Sequence, residues 1–253
     1  MLIDTHAHLY VKEFDEDRED MINRALATGV EKMLLPSIDS SEIEAMLDLE
    51  NKFPAHCFAM MGLHPCYVKE NYEEELAIVS DWFSRRSFKA VGEIGLDLYW
   101  DKTFYKEQTD AFCRQIEWAK KYKIPISIHS REATNEAIEI VQSYKDENLR
   151  GVFHCFGGTI EQAQKIIDLD FYMGIGGVVT FKKAGVDILL KDISLEHLVL
   201  ETDAPYLAPV PFRGKRNEAS YIRFVAEKIA ETKCISVTEV EQITSENAKK
   251  LFF

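Results

Sequence analysis

The stretch Ile124-Pro125-Ile126-Ser127-Ile128-His129 decides the reading of the fold. It is too apolar for a half-exposed strand, so it points to a parallel sheet buried on both faces. Pro125 stands at its entry, where a missing N–H is tolerated. Leu198-Val199-Leu200 has the same character. Working outward, β-type runs lie near 2–6, 32–36, 57–62, 88–93, 124–129, 151–154, 171–175 and 197–202. Helical periodicity fills 16–28, 40–52, 73–84, 103–122, 133–146, 159–169 and a shorter segment around 181–191; two more helices follow at 217–232 and 237–250. In the first of these two, Ile222, Val225, Ala226 and Ile229 make one apolar stripe, with Asn217 as the expected N-cap. Ser236 and Glu239 read as a capping box for the last. Strands alternating with helices fit either an open doubly wound sheet or a closed barrel. The near-even repeat favours closure, and the G-x-G-x-x-G of a doubly wound nucleotide fold is missing after the first strand. The expectation is a single (β/α)8 TIM barrel over residues 1–253, with parallel strands and extra C-terminal helices.

Composition narrows the function. The 253 residues are 46% apolar and 29% charged, which is ordinary globular composition. The longest apolar run, Phe171 to Val179, carries three glycines and is too short for a membrane helix. The first residues, Met-Leu-Ile-Asp-Thr, have neither a basic region nor an apolar signal core, so a cytoplasmic location is expected. The net charge of -13 argues against a protein that coats nucleic acid through a broad basic face. Five cysteines at irregular spacing, with no C-x-x-C, read as reduced thiols and not as a disulfide framework. The glycine cluster Gly174-Ile175-Gly176-Gly177 reads as a tight turn or a place where backbone approaches a ligand.

A barrel gathers its chemistry at the C-terminal ends of its strands. Strand one ends Asp4-Thr5-His6-Ala7-His8, strand four Gly92-Glu93, strand five Ile128-His129, strand six Phe153-His154 and strand eight Glu201-Thr202-Asp203; strand three leads to Gly62-Leu63-His64-Pro65. Singly, each is most simply structural. Together, four histidines and two carboxylates would meet at one mouth, where burial is costly unless they are paired or metal-bound. Mixed nitrogen and oxygen donors suit Zn²⁺, Mn²⁺ or Fe²⁺, and more weakly Mg²⁺. Six ligands exceed the three of a typical catalytic zinc, so His6, His8, Glu93, His129, His154 and Asp203 are read as a site for two divalent metal ions, with Glu93 as bridge.

These blocks resemble the TatD family of metal-dependent deoxyribonucleases, within the amidohydrolase superfamily. The resemblance runs from Asp4-Thr-His-Ala-His8 through Gly62-Leu-His-Pro65, Gly92-Glu-Ile-Gly-Leu-Asp97, His129-Ser-Arg131 and His154-Cys-Phe-Gly-Gly158 to Glu201-Thr-Asp-Ala-Pro205 and Arg213-Gly-Lys-Arg-Asn-Glu218. Ala219 departs from the pattern, which has proline there. The resemblance implies a barrel and a divalent metal site (Mg²⁺, Mn²⁺ or Zn²⁺), with ligand roles on the same six residues. It also implies hydrolysis of DNA phosphodiesters from the 3′ end. A glutamate on strand four, where some superfamily relatives carry a carboxylated lysine, points away from phosphotriesterase-like and hydantoinase-like enzymes.

On this reading His6, His8 and Glu93 hold one ion, and Glu93, His129 and His154 the other. Asp203 orients the attacking water and accepts its proton; the competing role is a helix N-cap. Arg131, Arg213, Lys215, Arg216 and His64 are the expected phosphate donors. For Arg131 the competitor is an ion pair with Glu132 or Glu136, for Lys215 and Arg216 a solvated loop, and for His64 a turn before Pro65. Glu201 is a candidate partner behind the ligands. Tyr99 and Trp100 are core packing or a surface on which a base stacks. The expected partner is a DNA strand end or another phosphoester, with the protein a monomer away from membranes. Two rival functions are an amidohydrolase-type enzyme acting on small phosphoesters, lactones or amides, and a barrel kept for protein interaction.

Overall fold

The computed structural model describes residues 1–253. The strands are β1 (Leu2–Asp4), β2 (Val30–Pro36), β3 (Cys57–Met60), β4 (Val91–Asp97), β5 (Ile126–Arg131), β6 (Gly151–Phe153), β7 (Tyr172–Ile175) and β8 (Leu198–Leu200). The helices are α1 (Arg18–Ala27), α2 (Ile43–Lys52), α3 (Tyr72–Arg85), α4 (Tyr105–Tyr122), α5 (Thr134–Tyr144), α6 (Ile160–Asp168), α7 (Val186–Leu189), α8 (Ile222–Lys233) and α9 (Val237–Phe252). The strands are all parallel, in the runs β1-β2-β3 and β4-β5-β6-β7-β8. A bridge between Met61 and Val91 joins the two runs, and the Thr5 N–H donates to Leu200 O at 3.0 Å. These two seams close the (β/α)8 barrel expected from the strand repeat.

Local chemistry accounts for much of this layout. Thr159 and Gln162 make a reciprocal capping box at the start of α6. Ser236 caps α9, its hydroxyl accepting from the Glu239 N–H at 3.1 Å. Helix α4 ends where Lys123 turns left-handed, at φ 56°. The main core lies between the outer face of the strands and the helices. A smaller one fills the lower end of the barrel: Ile3, Leu34, Met60, Val152 and Val199 from five strands and Ala90 just before β4, sealed by Ala248, Leu251 and Phe252 of α9. The last helix therefore plugs the floor and leaves the opposite mouth open for chemistry.

Three expectations change. The fourth strand runs to Asp97, not to Glu93, because Leu96 and Asp97 continue the ladder opposite Ser130 and Arg131. The segment 181–191 yields only Val186–Leu189 as helix, behind Gly185 at φ 73°. Asn217 caps no helix: α8 begins at Ile222 after a 3-10 turn (Ala219–Tyr221), and the buried Asn217 amide donates to Thr202 O and Tyr206 O, both at 2.7 Å. It thereby ties down the loop that carries Asp203.

The tight turn expected of the glycine cluster falls at its end, where Gly176 leads into a 3-10 turn (Gly177–Thr180), whereas Gly174 does not turn. It lies within β7, and a Cβ there would run into the Glu201 carboxylate, with His154 Cα 3.1 Å away. The missing side chain is the room into which Glu201 leans.

Candidate metal centre

Glu93 stands at the middle of the mouth, 1% exposed. Its two oxygens face different imidazoles. Oε2 lies 3.0 Å from His6 Nε2 and 3.4 Å from His8 Nε2. Oε1 lies 2.8 Å from both His129 Nδ1 and His154 Nε2, and 3.3 Å from His64 Nε2. Asp203 Oδ1 completes the His6–His8 side, 3.6 Å from His8 Nε2 and 4.0 Å from His6 Nε2. The barrel thus brings together all six side chains expected from the strand ends. Asp203 heads no helix; it sits in left-handed backbone at φ 55°, its N–H donating to His6 O at 2.9 Å.

Groups behind the ligands set which nitrogen is free. The Tyr10 hydroxyl donates to Pro36 O at 2.5 Å, so at 3.3 Å it accepts from His8 Nδ1–H and leaves Nε2 facing the centre. Asp97 Oδ2 lies 2.7 Å from His129 Nε2 and holds its proton, which leaves Nδ1 facing Glu93. Ser127 Oγ lies 3.1 Å from His6 Nδ1. Glu201, fully buried, accepts the Cys155 N–H at 2.6 Å and lies 3.4 Å from His154 Nδ1. That last approach is close enough for charge attraction but not aligned as a hydrogen bond, and His154 Nδ1 and Glu201 Oε2 both lack a hydrogen-bond partner. Asp4 accepts from the Thr202 hydroxyl at 2.6 Å and from the Thr202 N–H at 3.0 Å, locking strand one to strand eight.

The electrostatics follow from crowding. Burial pushes the Glu93 carboxyl up, but the surrounding imidazoles, His154 foremost, outweigh it and hold it well below the usual carboxylate range. Burial, joined by His154, drives His6 well below its usual value, so it stays neutral. Burial opposes charge on His154, yet Glu93 and Glu201 raise it well above the ordinary imidazole value. Asp203 is pushed up to about 6 by burial, against the pull of His154 and His8. Asp4 rises to about 8 through burial, against its bond from Thr202.

This donor set fits divalent cations. His6, His8 and Asp203 present ligand atoms within 4.8 Å of one another, and so do His6, Glu93 and His154. An ionised carboxylate shared between two sets of oriented imidazoles is suited to bridge two ions. His64, Cys66 and His129 form a third such group at the edge.

The expected phosphate donors fall into two kinds. Arg131 stacks on Tyr99, 3.7 Å from the ring centroid, in place of an ion pair with Glu132 or Glu136. Arg213 lies over Phe181 at 4.3 Å, and Lys215 is exposed on the same loop. His64 faces Glu93 while its Nδ1 accepts the Cys66 N–H at 3.0 Å, so it serves turn and site together. Arg216 departs from the expectation. Its guanidinium makes a two-point pair with Asp17 at 2.7 and 2.8 Å and also donates to Glu13 O, which commits it to bracing the loop. Asp97 lies outside the set expected from the strand ends; its place at the end of Gly92-Glu-Ile-Gly-Leu-Asp97 is the available signal.

A closed barrel with this mouth defines a metal-dependent hydrolase. Comparison with known proteins agrees: residues 3–253 match the TatD related DNase family, and the chain belongs to it. It is 40% identical over 253 residues to the metal-dependent hydrolase YabD of Bacillus subtilis, covering 100% of this chain and 99% of that one. It is 33% identical over 258 residues to the 3′-5′ ssDNA/RNA exonuclease TatD of Salmonella typhimurium, covering 99% and 98%. The crystal structure of YJJV, a TatD homologue from Escherichia coli, superposes with a TM-score of 0.93 at 28% identity, covering 99% and 97%. No helix is long and apolar enough to cross a membrane.

Proposed function

We propose that the chain is a divalent-metal-dependent nuclease that removes nucleotides from the 3′ end of DNA. The observation that carries this reading is the Glu93 carboxylate, divided between two sets of imidazoles. His6, His8 and Glu93 would hold one ion, and Glu93, His129 and His154 the other. Such a pair supplies charge neutralisation at the phosphodiester and a water acidified toward neutral pH. Asp203, facing His8, orients the attacking water and takes its proton; its raised proton affinity suits that role. Arg131, Arg213 and Lys215 hold the phosphates, and a few local cations let an acidic protein grip a strand end. The Salmonella relative's printed activity on single strands supports the same substrate class.

The test is a 5′-labelled single-stranded oligodeoxynucleotide incubated with the protein and Mg²⁺ or Mn²⁺. A ladder that shortens from the 3′ end, lost with EDTA and in Asp203→Asn, is the expected result. An intact oligonucleotide beside turnover of a small phosphoester or lactone would overturn the nuclease reading in favour of a small-molecule hydrolase.

A further inference from the structure

One cluster at the mouth takes no part in holding metal, yet is fastened to a metal ligand. Trp100 is 70% exposed and Tyr99 47%. Their rings meet edge to face, centroids 4.8 Å apart. The Arg131 guanidinium lies over both, 3.7 Å from the Tyr99 centroid and 5.3 Å from that of Trp100. Stacking occupies the guanidinium face and leaves its N–H edge free for a phosphate.

This cluster is held in place. One oxygen of Asp97 accepts the N–H groups of Tyr99 and Trp100, both at 3.0 Å, while the other holds His129 at 2.7 Å. The Leu98 N–H donates to Arg131 O at 3.0 Å, and Lys69 pairs with Asp101 at 3.1 Å on the far side. The loop after β4 is thereby registered against the metal centre through a single carboxylate. His129 and Arg131 share a face of β5 and stand two residues apart, about 6.6 Å along the strand. Arg131 therefore stands beside the candidate metal centre, placed to meet a phosphate of a strand whose scissile bond lies at the metals.

We propose that Tyr99, Trp100 and Arg131 form a nucleotide subsite, the rings stacking a base and the guanidinium holding a phosphate beside the scissile bond of a single-stranded nucleic acid. This inference rests on the nuclease reading and deepens it. Every base has a π-face, so the subsite tolerates any sequence. A base still stacked in a duplex has no free face to offer, so the subsite selects frayed or single-stranded ends.

The test uses the full chain, Trp100→Ala and Trp100→Phe, with oligothymidylates from dinucleotide to octanucleotide. Trp100→Ala should raise KM on the longer strands by about 5- to 150-fold, the affinity ratio that stacking of one base supplies, with a smaller effect on kcat. Trp100→Phe should restore most of the loss. A wild-type KM in Trp100→Ala at every length would overturn the proposal. Binding is read separately from turnover, by quenching of tryptophan emission on adding oligothymidylate in EDTA. Quenching that disappears in Trp100→Phe supports the subsite even where no strand is cut, a result that would sink the nuclease reading alone. No Trp100-dependent quenching would sink the subsite even if the strand is cut.

Discussion

Replacing Glu201 by Gln tests how far the groups behind the ligands control the centre. The side chain is fully buried, accepts the Cys155 N–H at 2.6 Å, and lies 3.4 Å from His154 Nδ1. Gln has the same shape, and its amide oxygen can keep the bond from Cys155. What is lost is the negative charge that keeps His154 basic. Losses of this kind reduce metal affinity about 10- to 100-fold, or ~1.4–2.7 kcal/mol. A chelator-competition titration with Mn²⁺ measures it, with thermal unfolding of the metal-free protein as the control for fold. Gly174→Ala should act through the same group, since its Cβ displaces the Glu201 carboxylate. It should add an overpacking cost of about 1–3 kcal/mol to stability. Because both changes act on one carboxylate, their effects on affinity should be less than additive in the double variant. Mn²⁺ affinity within about twofold of wild type in a folded Glu201→Gln protein would refute the reasoning.

Three further outcomes are expected. Phe252→Ala removes the ring that seals the barrel floor and should cost about 3 kcal/mol or more in urea unfolding, while turnover per folded molecule persists; a cost below about 1 kcal/mol would show that α9 does not plug the floor. Bonds from Arg216 and Arg24 hold the Asp17 carboxyl below the usual range, so its stabilisation is present above the unfolded pKa of about 3.9 and is lost as pH falls through the lower folded value. Asp17→Asn should therefore be less stable than wild type at pH 7 by about 1 kcal/mol or less, these side chains being partly exposed, and the gap should close in acid; a gap that widens below about pH 4 would reverse the sign. Asp97→Asn should lower kcat/KM about 10- to 100-fold, because His129 loses its anionic partner; an unchanged value would remove Asp97 from the machinery.

The candidate metal ligands are legible in the sequence because each follows an apolar run that names its own strand. Once eight such runs close, their C-terminal ends must meet, and His6, Glu93, His129, His154 and Asp203 need no further information to be gathered. The positions that escape are those whose role depends on a partner elsewhere. Asp97 reads as a loop residue if β4 stops at Glu93, and its meaning comes from His129 across the longer ladder.

Chain periodicity and strand-end chemistry were enough to set the barrel and the candidate ligand set, since these depend on residues close in sequence. Folding decided which charges are free. Arg216 and Arg131 read alike as basic residues near the mouth, but Asp17, 199 positions away, captures the first, while the second rests on Tyr99 with its donors open. Folding likewise set the glycine at 174 against the carboxylate at 201, and turned Asn217 from a helix cap into the clamp on the Asp203 loop. Such pairings follow from closing the barrel, which brings distant loops within hydrogen-bond reach, where short-range geometry then selects one partner among several of the same charge.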